Sequence, residues 1–173
     1  FTNAVVETDL VVSSQEETIQ TNEGTAALYT HVENNVSEYL VRTSDPLYVP
    51  MRYTQSGRKD FVHLPMIQEA WLNEIKKIKT INEQVNTGVI IGFTPNFKYD
   101  AYLASDSYSK NNIVYFTNDG QLSSEPVAGG GFILFNVPMG PREVVLQESE
   151  SGRIFSQVFN VKYQEVSVTH FDE

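Results

Sequence analysis

After Asn86 the chain breaks into seven short apolar runs separated by turn signals, and that cadence restricts the fold more than any other feature of these 173 residues. The runs span residues 87–93, 99–104, 111–117, 131–137, 142–149, 153–161 and 164–171. Between them stand Thr94-Pro95-Asn96, residues 105–109, Asn118-Asp119-Gly120, Pro138-Met139-Gly140, Glu150-Ser151-Gly152 and Lys162-Tyr163. Proline presets a turn dihedral, glycine accepts positive φ, and Asn and Asp hydrogen-bond their own backbone, so each cluster stops a strand for a chemical reason. Strands with turns roughly every 8 to 12 residues are the pattern of a β-sandwich. Alternation adds the faces: in 164–171, Val166 and Val168 alternate with Ser167 and Thr169, which predicts one side in the core and one in water.

The first 86 residues are less regular. Residues 4–12, with Val5, Val6, Leu10, Val11 and Val12, predict a strand, and the acidic stretch 13–25 predicts an exposed loop. Three β-prone runs follow at 26–32, 38–43 and 47–53, and Pro50 inside the third favours an edge strand or a bend, because proline has no N–H for a ladder. Residues 54–60 predict a turn around Gly57, and 61–64 an extended piece ended by Pro65. One amphipathic helix is predicted over 66–79, where Ile67, Trp71, Ile75 and Ile78 fall on one stripe and Pro65 suits the first turn. Trp71 on that stripe is expected to pack on the sheet. The expected division is a β-containing region with this helix at 1–86 and an antiparallel sandwich of about seven strands at 87–173.

Composition narrows the partners. Twelve basic against twenty-two acidic residues give a net charge of −10, a field that repels nucleic acid and anionic lipid alike. The basic cluster Lys76, Lys77 and Lys79 belongs to the solvated face of the helix. With no cysteine, disulfides, thiolate metal sites and cysteine nucleophiles are all excluded, and the expectation leans to a bacterial protein. No apolar run is long enough to span a bilayer as a helix. The chain starts at Phe1, which raises the expectation of a removed leader or a longer protein around it.

Residues 87–171 resemble the transthyretin-like β-sandwich of carboxypeptidase regulatory-like domains. Gly88 and Gly92 frame the first strand, Tyr115 precedes the Asn118-Asp119-Gly120 turn, and Gly131-Phe132, Asn136-Val137-Pro138-Met139-Gly140 and Val144-Val145-Leu146 follow in the family's order. The chain departs from that pattern at Leu122, where an aromatic is usual, and in an insertion over 123–130. The resemblance implies a non-catalytic accessory or adhesive module of a secreted or surface protein, and it carries no active-site residues over.

Catalytic constellations are not visible. His31, His63 and His170 are far apart, and none has the helical spacing of a zinc site, so neither metal nor cofactor is expected. Asn118-Asp119-Gly120 lacks the ligand spacing of a calcium loop and suits a tight turn. Gly129-Gly130-Gly131 is followed by a strand rather than a helix, which excludes a phosphate cradle. No serine occupies a nucleophile elbow, and Glu148 and Glu150 are expected to be solvated at a strand end. The candidate ligand site is the aromatic and polar group Phe93, Asn96, Phe97, Tyr99, Tyr102 and Tyr108, since aromatic faces beside Asn and Asp are how many carbohydrate or peptide sites are built. The expectation is a non-enzymatic, extracytoplasmic binding or assembly module of a bacterial surface or secreted system, with a protein or polysaccharide partner and oligomer formation possible. The alternatives are a carbohydrate-binding accessory domain of a secreted enzyme, and a strand-exchanging subunit that uses the 4–12 segment.

Overall fold

The structure, a computed structural model, describes residues 4–8, 17–19, 38–43, 46–54, 66–94, 97–104 and 108–171. The expected strand at 26–32, the pieces at 55–65 with Gly57 and Pro65, and Asn96, His31 and His63 lie outside the described residues. The chain is mainly β. In order, the elements are β1 (Ala4–Thr8), β2 (Glu17–Ile19), β3 (Glu38–Thr43), β4 (Met51–Thr54), α1 (Glu69–Ile78), β5 (Thr87–Thr94), β6 (Tyr99–Leu103), β7 (Ile113–Phe116), β8 (Leu122–Ser123), β9 (Gly130–Pro138), β10 (Gly140–Glu148), β11 (Ile154–Val161) and β12 (Val166–His170). A short 3-10 turn, Lys110–Asn112, leads into β7.

These strands form two sheets. The larger runs β2-β1-β3-β4-β12-β5-β9-β7-β8 and the smaller β11-β10-β6. One core fills the space between the large sheet and α1, with Leu72 and Ile75 of the helix meeting Ile91, Ile133, Phe135 and Val168. A second core fills the space between the sheets, where Ile90, Phe132 and Leu134 meet Leu103, Val144, Leu146 and Phe159. Strand β9 therefore lies in the middle layer with both faces covered, which is why Gly131-Phe132-Ile133-Leu134-Phe135 is an unbroken apolar run rather than an alternating one. Each fully buried side chain there contributes roughly 2 kcal/mol of transfer free energy.

A bulge sets the end of β9. Gly88 pairs with Val137 but Ile90 pairs with Leu134, so β9 has an extra residue opposite β5. Asn136 sits there at φ 56°. Its side chain accepts from Gln84 N at 3.0 Å and donates to Asn82 O at 2.9 Å, tying the helix-to-β5 connection to the sheet. The extra residue resets the alternation and brings Val137 to the same core as Leu134.

Several expectations are corrected. The sandwich is not antiparallel throughout: β12 runs parallel to both β4 and β5. The chain leaves β11 in the small sheet and crosses to the large one, entering between two strands already in place, so its direction is set by the crossing rather than by a hairpin. Ser167 and Thr169 do not face water but are as buried as Val166 and Val168, because the small-sheet side of β12 is also covered. Pro50 is neither in a strand nor at an edge; it precedes β4, accepts from Val166 N at 3.0 Å, and β4 is bonded on both sides by β3 and β12. The acidic stretch expected as a loop contains β2, which returns antiparallel along β1. Strand β1 is bonded by β2 and β3 in its own chain, and residues 9–12 of the expected strand lie outside the described residues.

The helix is shorter than predicted. Residues 66–68 stay extended, with Gln68 at φ −74° and ψ 132°, because they bond to the 47–49 segment through Val49 N to Ile67 O and Glu69 N to Leu47 O. Leu72 rather than Ile78 completes the buried stripe, and Ile78 turns to solvent in the last turn. Trp71 packs edge-on against Phe116, centroids 5.5 Å apart, and donates its indole N–H to Gly120 O at 3.3 Å.

Polar residues occupy the buried seam beside β12. The Thr169 hydroxyl donates to Thr54 O at 2.7 Å and lies 3.1 Å from Gln157 Oε1, so a β11 side chain is tied to the β4–β12 junction. The Thr54 hydroxyl, on a residue only 6% exposed, has no hydrogen-bond partner among the described residues. A buried hydroxyl without a partner forfeits its hydration. Thr54→Val keeps the shape and removes that penalty, so a gain of about 1 kcal/mol in urea unfolding is expected; a loss of that size would show the hydroxyl to be bonded in solution.

Candidate functional site

The aromatic group expected as a ligand site is divided by the large sheet. Phe93 lies on the helix side, stacked on His170 with centroids 4.8 Å apart and edge-on to Phe116. Phe97, Tyr99 and Tyr108 lie on the other side, in the core between the sheets. Tyr99 is buried between Phe97 and Phe155. The Tyr108 hydroxyl donates to Phe135 O at 2.5 Å, and burial pushes its pKa far above the ordinary value. Tyr102 points outward from β6 and is exposed. The structure thus brings Phe97 and Tyr99 together and leaves Tyr102 and Phe93 apart from them.

The other sequence candidates resolve locally. Asn118-Asp119-Gly120 forms a turn with Gly120 at φ 80°; the Asp119 carboxylate accepts from the Thr117 hydroxyl and from Gln121 Nε2, and the Thr117 bond holds its pKa below the usual range. Glu148 is not solvated: it is buried at the end of β10 and accepts from the Ser151 hydroxyl, because the turn 149–152 folds back over it. His170 lies 3.3 Å from the Tyr53 hydroxyl through Nδ1. Among the described residues no three His, Asp or Glu side chains gather where they would hold a metal.

A different concavity opens at one end of the large sheet. It has a volume of about 590 Å³ and lies between α1, the connection before β5, the 48–50 segment and the turn before β12. Its walls carry Tyr48, Asn73, Gln84, Tyr163 and Gln164, with Asn136 at the back. The one lysine lining it, Lys76, is ion-paired with Glu83, and Glu165 is held by Arg52 at 3.1 Å. What remains for a ligand is the Glu69 carboxylate and neutral groups that both donate and accept, those of Gln84, Tyr163 and Gln164. Tyr163 is 54% exposed at the mouth.

Backbone geometry marks the same place. The described residues other than glycine at positive φ are Thr80, Asn86, Asn136 and Gln164. Two of them, Asn136 and Gln164, line the cleft, and such conformations cost about 1 kcal/mol or more each. Nothing local in the sequence announced this site. Its residues come from five separated segments, and they meet only because β12 inserts beside β4 and because the bulge turns Asn136 toward the 82–84 connection.

The described residues define a mainly β protein, with two sheets and α1 packed on the larger. No family model, curated protein or solved structure matches the chain. No described helix is long and apolar enough to cross a membrane.

Proposed function

We propose that this chain is a non-enzymatic, extracytoplasmic binding module of a bacterial surface or secreted system, and that it takes a polysaccharide in the cleft at the end of the large sheet. The observation that carries this reading is the lining. Amide and phenol groups face the opening while Lys76, Arg52 and Glu165 are already engaged in ion pairs. Hydroxyl-rich sugars need donor and acceptor groups in fixed positions beside aromatic surface, and a lining whose one unpaired charge among the described residues is the Glu69 carboxylate favours them over phosphates. The strained conformations at Asn136 and Gln164 support a site held ready in shape. The resemblance of 87–171 to transthyretin-like sandwiches supports an accessory role, with β5, β9 and β7 facing β6, β10 and β11 as the two layers.

The test is a glycan array followed by calorimetric titration of the best hit. Tyr163→Ala and Asn73→Ala, both at exposed positions, are expected to weaken binding at least about tenfold each with little change in stability. Silence across the array, or binding that both variants leave intact, contradicts the reading; binding only to peptides moves it to a protein partner. Hydrolytic turnover abolished at a single side chain removes the non-enzymatic part.

A further inference from the structure

Among the described residues the two sheets end in four edge strands, and one of them is unlike the rest. On the large sheet, β2 has three residues and carries Glu17, and β8 has two. On the small sheet, β6 has five residues and carries Asp100. Strand β11, Ile154–Val161, is eight residues long and contains no charge, no proline and no glycine. Natural edge strands are usually blunted by those devices or kept short, since an open row of N–H and C=O groups is a template for another chain.

The open row can be specified by residue. Glu148 N donates to Arg153 O at 2.9 Å, so the odd-numbered residues of β11 direct their backbone groups to β10. Ile154, Ser156, Val158 and Asn160 direct theirs to the edge, and no described residue bonds to them. The same four side chains face away from the core, Ile154 at 64% and Val158 at 58% exposure.

We propose that β11 pairs antiparallel with β11 of a second copy of this chain across a two-fold axis at Ser156, joining the two small sheets into one six-stranded sheet. In that register Ile154 lies opposite the second copy's Val158, and Ser156 opposite its own counterpart. Parity is right for hydrogen bonding, because the facing residues are the ones whose N–H and C=O groups point outward. It is also right for packing, because the exposed apolar side chains of both copies come together on one face. Charge fits as well. Lys162, just beyond β11, comes level with Glu150 of the second copy, twice by symmetry, and neither side chain has an ion-pair partner among the described residues. These contacts select a second copy over an unrelated strand, which would lack the complementary ends. The net charge of −10 opposes association, so the dimer is expected to tighten with salt from low ionic strength until the Lys162 pairs are screened. The proposal is independent of what the cleft binds. With two clefts per dimer, a polymeric ligand would be held with avidity.

The test is light scattering on the full chain over a concentration series, with residue-resolved amide exchange. A mass twice the 19.5 kDa of one chain is expected at high concentration, with dissociation on the order of micromolar. The amides of Ile154, Ser156 and Val158 should exchange more slowly as concentration rises. Ser156→Pro removes an outward N–H that no described residue uses and is expected to raise the dissociation constant at least about tenfold while the monomer stays folded by circular dichroism. Lys162→Glu is expected to weaken the dimer, and Glu150→Lys in the same chain to restore it. A monomer at every concentration overturns the proposal. So does a dimer whose β11 amides are indifferent to concentration and whose strength Val158→Lys leaves unchanged.

Discussion

Replacing Arg52 by alanine is expected to remove about 3 kcal/mol of stability, seen as a midpoint roughly 6 to 12 °C lower in thermal unfolding. Arg52 is only 1% exposed, standing on β4 between Leu40 of β3 and Ser167 of β12. Its guanidinium donates twice to Glu165 Oε2, through Nε at 3.2 Å and a terminal nitrogen at 3.1 Å. Alanine there leaves the Glu165 carboxylate, itself mostly buried, without that partner, and empties the volume of the longest side chain in the seam. Arg52→Met refills much of the space and is expected to lose less. The pair also positions the cleft: Glu165 lines it and immediately precedes β12. If Arg52→Ala unfolds within about 0.5 kcal/mol of the parent, the ion pair is not buried as described.

Gly131→Ala is expected to cost a similar amount, about 3 kcal/mol, from one methyl group. Gly131 pairs with Phe93 on one side and Phe116 on the other, in the middle layer. Those two rings meet edge-on over it, centroids 5.6 Å apart. A Cβ at this position would press into the Gly92 carbonyl oxygen and stand 2.5 Å from Phe116 Cζ. The ring can turn aside only into Trp71, and the carbonyl belongs to the neighbouring strand, so β5 and β9 would have to separate. The glycine is required here for closeness rather than for turn geometry. Chemical denaturation with Trp71 fluorescence measures both the loss and the displaced ring. An alanine variant as stable as the parent would show that the rings do not close over β9.

Both positions show what the sequence made legible. The seven runs after Asn86 correspond to β5, β6, β7, β9, β10, β11 and β12 within a few residues, because their turns are built from residues with local conformational preferences and those preferences need no tertiary information. Which strands would be buried on both faces was not legible. Ser167, Thr169 and Arg52 carry polar side chains that a local reading sends to water, and their burial follows from a sheet and a seam assembled by distant strands. For the same reason the cleft was invisible: Tyr48, Asn73, Asn136 and Gln164 share no pattern along the chain. The aromatic group at 93–108 was visible and was read as surface, yet Phe93 belongs to β5 and faces the helix-side core, while Phe97 and Tyr99 lie at the start of β6 in the other sheet and pack between the sheets.

Native-state hydrogen exchange of the β12 amides tests the layered core most directly. Strand β12 is held between β4 and β5 and covered on both faces, so the amides of Ser167, Val168 and Thr169 should exchange only through global unfolding, with the same free energy as Ile133 and Leu134 in β9. Exchange at those three amides on the timescale of an edge strand such as β8, with β9 still protected, would contradict the insertion of β12 and the seam and cleft built upon it.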